Sequence, residues 1–144
     1  MNINIVIDHA DYLTSSYISE LTNHAKVNLK EINYNPGEKR AVIYLTRFSV
    51  TGGKKLMGLG EYVRDYNTPI KSKIVIKNIE SAEIKQADTC IDVKEITLIF
   101  GISFKKNEIY FGSAEEAKGK HCFGASFFGD NLILEIEDME NQNT

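Results

Sequence analysis

Cysteine is scarce: Cys90 and Cys122 are the only two in 144 residues, too few for a disulfide framework and in no metal-ligand spacing such as CxxC. Two reduced thiols are therefore expected, each acting as a small buried apolar residue, with no disulfide between them and a cytoplasmic setting. A secretory leader is not recognisable either, since Met1-Asn2-Ile3-Asn4-Ile5-Val6-Ile7-Asp8 lacks a basic start and its apolar residues stop early. No stretch nears the roughly 20 apolar residues of a bilayer span, so no membrane partner is expected. The sequence also contains no GxSxG, HExxH, EF-hand, GxxxxGK[ST] or GxGxxG pattern, and no repeat or low-complexity linker. On that basis no catalytic residue, cofactor or metal is assigned, and the chain reads as non-enzymatic.

What remains is an ordinary globular composition, 42% apolar and 26% charged, in a length that suits one core. Residues 1–137 are expected to form a single domain and residues 138–144, polar and terminal, a frayed tail. Ile3, Ile5 and Ile7 alternate with other residues as in a half-buried strand. Leu13, Tyr17, Ile18, Leu21 and Ala25 then recur at helical spacing, predicting a helix over residues 10–26. Val27 and Leu29 are out of phase with Ile32 and Tyr34, which a β-bulge near Lys30 and Glu31 would absorb. Asn35-Pro36-Gly37 and the β-branched run from Ala41 to Val50 complete a hairpin, and Ile74 and Ile76 oppose Lys71, Lys73 and Lys77 on a half-solvated strand.

The second half follows the same grammar. A short strand is expected around residues 90–93. Ile96, Leu98, Phe100, Ile102 and Phe104 share one face of a continuous strand, and Lys105-Lys106-Asn107 turns it back into Ile109-Tyr110-Phe111. Ser113 and Glu116 have capping-box spacing and Gly119 can end a short helix. Strands near residues 121–128 and 132–137 meet at Gly129-Asp130-Asn131, read as a hairpin. About eight strands with one or two helices make the fold class α+β, mostly antiparallel β, as a curved sheet, sandwich or barrel.

Each candidate site has a structural alternative that is at least as strong. His121 can activate Cys122 only if both point the same way, which neighbouring strand residues do not, so a thiol enzyme would need His9 or His24 instead. Asp8, His9 and Asp11 offer metal ligands but serve equally to start a helix. Gly112-Ser113 could hold an anion, yet Glu115 and Glu116 would repel it. A basic face of Lys71, Lys73 and Lys77 with Tyr62 and Tyr66 would suit nucleic acid, which the acidic net charge of −3 disfavours. Lys54 and Lys55, in the glycine-rich stretch 52–60, sit where a binding loop would.

Charge is segregated along the chain: residues 38–77 carry nine Lys/Arg against three Asp/Glu, and residues 78–144 six against thirteen. Such segregation suits steering of a charged partner. The leading expectation is a binding module that forms a stoichiometric complex with another protein of basic surface, in one version a toxin-neutralising, immunity-type protein. Contact is assigned to Asp130, Ile133, Glu135 and Glu137, with Lys54 and Lys55. Two alternatives are a β-barrel enclosing a small apolar ligand among the phenylalanines of the second half, and a hydrolytic or thiol enzyme using Cys122 with a distant histidine.

Overall fold

Alternation of apolar and polar residues with a period of two dominates the chain, and the structure, a computed structural model, turns it into paired strands. Residues 2–7, 12–52, 62–113 and 122–139 are described. The strands are β1 (Asn2–Val6), β2 (Lys26–Asn35), β3 (Arg40–Gly52), β4 (Tyr62–Lys77), β5 (Ser81–Gln86), β6 (Glu95–Thr97), β7 (Ser103–Lys105), β8 (Glu108–Gly112), β9 (Phe123–Phe128) and β10 (Ile133–Asp138), with one helix, α1 (Tyr12–Thr22), among the described residues.

Two antiparallel sheets result, a six-stranded one in the order β1-β10-β4-β3-β2-β6 and a four-stranded one in the order β5-β9-β8-β7. The fold is α+β, mostly antiparallel β, in sandwich form. The large sheet turns Val27, Ala41, Ile43, Leu45, Ile74, Ile76, Leu134 and Ile136 inward, all buried. Ile109, Phe111, Phe123, Ala125 and Phe127 answer from the small sheet, and Ile18 and Leu21 of α1 join the same cluster. Tyr34 meets Phe127 edge-on across the layers, ring centroids 5.9 Å apart.

An irregularity falls in β2 where the sequence predicts a one-residue bulge, but it is larger: the register with β3 shifts between Val27 and Ile32, so that residues 28–31 stand against Tyr44 alone. A second irregularity lies in β4, where Phe48 pairs with Pro69 but Ser49 with Asp65, so Tyr66, Asn67 and Thr68 loop out. The Asp65 carboxylate holds that loop by accepting from the Asn67 N–H (2.9 Å) and the Thr68 hydroxyl (2.6 Å). These bonds, Thr68 first, hold the Asp65 carboxyl below its ordinary range.

Several sequence expectations are corrected. The helix begins at Tyr12 among the described residues and ends at Thr22, because Lys26 already pairs with Thr46 in β2. No strand forms at residues 90–93; the chain makes a 3-10 turn at Asp88–Cys90, and the strand of this region is β5, earlier in the chain. The strand expected through residues 96–104 is broken: after β6 and an isolated bridge from Leu98 to Ser113, Phe100 and Gly101 adopt φ of 60° and 66° before β7 begins. Strands β9 and β10 do not form a hairpin, since they belong to different sheets. Their link crosses between the layers beside the β4–β5 crossing, where Asn78 Nδ2 donates to the Asn131 carbonyl (2.8 Å) and the Ile79 N–H to that of Lys39 (2.9 Å). Gly129 is required there, as a Cβ would stand 2.5 Å from the Asn78 carbonyl oxygen.

The ordered chain also runs past the expected tail boundary. Asp138 is the last residue of β10, and the Met139 N–H donates to the Lys71 carbonyl (2.8 Å). Asp138 accepts from Arg47 Nε (3.1 Å), Arg47 Nη2 (2.7 Å) and the Ser72 hydroxyl (2.7 Å). Arg47, 2% exposed, sits on the inward face of β3, so this ion pair lets a cation occupy the sandwich interior. Partial burial opposes ionisation of Asp138, but the Arg47 and Ser72 hydrogen bonds and the Arg47 charge outweigh it and hold the carboxyl below its ordinary range. Among the described residues no helix is long and apolar enough to cross a membrane.

Candidate functional site

The outward face of the small sheet is bare at the end where β8 and β9 carry glycine. Inward positions of β8 and β9 are Ile109, Phe111, Phe123, Ala125 and Phe127, and the outward ones are Glu108, Tyr110 and Gly112 on β8 and Gly124, Ser126 and Phe128 on β9. The register sets these in rows. Gly112 stands opposite Gly124, and Gly124 opposite Lys85; one row along, Glu83, Ser126, Tyr110 and Ser103 stand in line. The two adjacent glycines leave bare peptide planes as the floor of a trough.

Phe100 supplies one wall. The Ile99 N–H donates to the Gly112 carbonyl (3.1 Å), which continues the sheet past β7 for one residue before the chain bulges out. Phe100 is 68% exposed at a φ of 60°, a conformation in which a bulky L-residue is strained. Helix α1 holds it there. The Ser19 hydroxyl donates to the Phe100 carbonyl, the Ile102 N–H donates to Thr22 Oγ1 (2.7 Å), and Gly101 packs so tightly that a Cβ would lie 2.3 Å from the Ser19 carbonyl oxygen. Across the trough, Lys85 and Glu83 form the rim on the edge strand, and Lys105 stands over the Tyr110 ring, 5.5 Å from its centroid. The resulting open groove has a volume of about 960 Å³.

Gly124 is bare without a steric reason among the described residues. A Cβ built on it meets nothing within 4 Å, and its backbone is not in the left-handed region. Gly112 differs, since its Cβ would approach the Phe123 carbonyl oxygen to 3.1 Å. A glycine in a central strand weakens the strand unless something must approach the backbone closely.

The residues assigned to partner contact from the sequence lie elsewhere. Ile133, Glu135 and Glu137 do share the outward face of β10, with Asp130 exposed in the preceding turn. That face is not uniformly acidic, because β10 lies beside β4: Glu135 forms an ion pair with Lys77, and Glu137 stands in register with Lys73. Lys54 and Lys55 fall outside the described residues, as do Asp8, His9, Asp11, His121 and the helix expected after Ser113. Ser113 itself is buried, its hydroxyl accepting from the Phe123 N–H (3.0 Å).

The two cysteines are the largest correction. Cys90 and Cys122 are joined in a disulfide with their Cα atoms 5.5 Å apart, closing a separation of 32 residues. The 3-10 turn after β5 and the start of β9 bring them together, the Ala87 N–H donating to the Cys122 carbonyl (2.9 Å). Neither sulfur is available as a nucleophile while that bond stands, so the thiol-enzyme alternative loses its nucleophile. Between the sheets, Phe111 lies 6.3 Å from both Phe123 and Phe127, so these phenylalanines pack on one another. No protein-family model matches the chain, and neither does any characterised protein or solved structure.

Proposed function

We propose that the chain is a non-enzymatic binding module that forms a stoichiometric complex with another protein, and that its working surface is the groove on the small sheet. The observation that carries this reading is Gly124, a bare central-strand position with open space above it. A partner side chain can lie flat on the Gly112–Gly124 floor between the Phe100 and Tyr110 rings, while Glu83 and Lys85 at the rim select the charges around it. A disulfide that takes both cysteines supports an oxidising setting over the cytoplasm expected from scarce thiols.

The test uses Gly124→Val, which fills the floor. Because valine favours strands and its Cβ meets nothing within 4 Å among the described residues, the variant should be as stable as the wild type or more so, by up to about 1 kcal/mol in chemical denaturation. Affinity isolation of the tagged chain from its native cells should recover one stoichiometric protein, and Gly124→Val should lose it. Recovery of the same protein by both forms removes the groove as the working surface.

A further inference from the structure

Strand β5 is the edge of the small sheet and pairs, among the described residues, with β9 alone. Five of its six residues are exposed, and Ile84, an apolar residue on the inward face, is 44% exposed. Its open backbone groups can be assigned from the ladder. The Ala87 N–H donates to the Cys122 carbonyl, and on the far side of β9 the Ser113 N–H donates to that of Phe123 and the Gly129 N–H to that of Asn107. Antiparallel residues alternate in direction, so Glu83 and Lys85 turn their amides toward β9, while at the start of the strand the Glu80 N–H donates to the Phe128 carbonyl (2.7 Å). Ala82, Ile84 and Gln86 turn theirs outward.

We propose that this edge pairs with β5 of a second copy of the chain, antiparallel about a two-fold axis through Ile84. That register sets Ile84 opposite its own copy and Ala82 opposite Gln86, so every outward amide meets an outward amide. Glu83 then stands opposite the partner copy's lysine at position 85, and Lys85 opposite the partner copy's glutamate at position 83. Glu83 and Lys85 are the only charged residues in the strand, and Glu80 and Asp88 lie beyond its ends.

The charges choose this register over its neighbours. Pairing centred on Glu83 would oppose glutamate to glutamate, and pairing centred on Lys85 would oppose lysine to lysine. Slips by a single residue would turn inward-pointing amides toward the partner. A lysine on an edge strand ordinarily discourages pairing with other chains, but beside a glutamate two residues away it discriminates against every partner edge except a complementary one, and the strand is complementary to itself. The interface is isologous, as two-fold symmetry requires. The two half-exposed Ile84 side chains would cover each other on the inward face, and the small sheets would join into one continuous sheet. The contact is confined to two short strands, below the size of a standard stable interface, so association should be weak.

Sedimentation velocity on the full chain from roughly 10 µM to 1 mM, the range that weak affinity implies, tests the proposal. The wild type should show a concentration-dependent monomer–dimer equilibrium. Glu83→Lys and Lys85→Glu should each shift dissociation at least tenfold weaker, and a one-to-one mixture of these two variants should recover wild-type association, because each then meets its opposite. A chain carrying both substitutions should dimerise by itself. Mixing also controls for folding, since two misfolded variants would not rescue each other. A wild type that stays monomeric throughout overturns the proposal, as does a dimer indifferent to both single reversals, or a mixture that fails to recover.

Discussion

Phe100 shows how one residue can be held against its own preference. Its backbone strain is of the order of 1–2 kcal/mol for a non-glycine residue in the left-handed region, and its ring gains little from burial. Phe100→Asn should therefore leave thermal stability unchanged or raise it by up to about 1 kcal/mol, since asparagine tolerates that conformation. The same substitution should weaken the protein complex. Gly101→Ala should behave oppositely and cost several kcal/mol, roughly 2–4, by driving a Cβ into α1. Asp138 is a second residue whose weight exceeds its position near the chain end. Asp138→Ala removes the carboxylate that faces buried Arg47 and should cost of the order of 3 kcal/mol in denaturant unfolding at neutral pH. Its folded-state proton affinity is depressed, so its stabilisation is complete above the unfolded carboxyl range near pH 4 and is lost as pH falls through the lower folded value. The variant should lack that part of the acid dependence.

At the scale of elements, the link from α1 to the break between β6 and β7 explains where sequence reading stopped. Thr22, wholly buried, donates to the Ile18 carbonyl (2.7 Å) and accepts from the Ile102 N–H. Thr22→Val should strand that amide and cost about 1–3 kcal/mol by calorimetry. Apolar alternation through Ile96, Leu98, Phe100, Ile102 and Phe104 pointed to an unbroken strand because periodicity records faces and not tertiary hydrogen bonds. Gly101 was the visible clue, a strand-interior glycine of the kind that marks a bend. Local chemistry was legible: the place of the β2 irregularity, the turn after Asn35 and the turn at Asn107 each follow from nearby residues. Gly129-Asp130-Asn131 shows the limit, since its turn chemistry fits a hairpin equally well as a crossing between layers. The groove was hidden for the same reason, because Gly112 and Gly124 become a floor only once β8 and β9 are in register.

For the whole molecule, the disulfide joins the 3-10 turn that follows the small sheet's edge strand to the start of the neighbouring strand. Closing 32 residues removes unfolded-state freedom worth about 3–4 kcal/mol in the chain-entropy account. Denaturant unfolding with and without reductant should differ by that amount, and a Cys90→Ser, Cys122→Ser double variant should match the reduced protein. The order of the large sheet has a different consequence, for the time course of folding. Strand β10 lies between β1 and β4, and among the described residues β1 pairs with β10 alone. During synthesis the first strand must wait, unpaired, until almost the whole described chain has followed it. A topology so dependent on distant pairings belongs among slow folders, with relaxation in milliseconds to seconds. Until β10 arrives, β4 presents a second open edge to whatever is nearby.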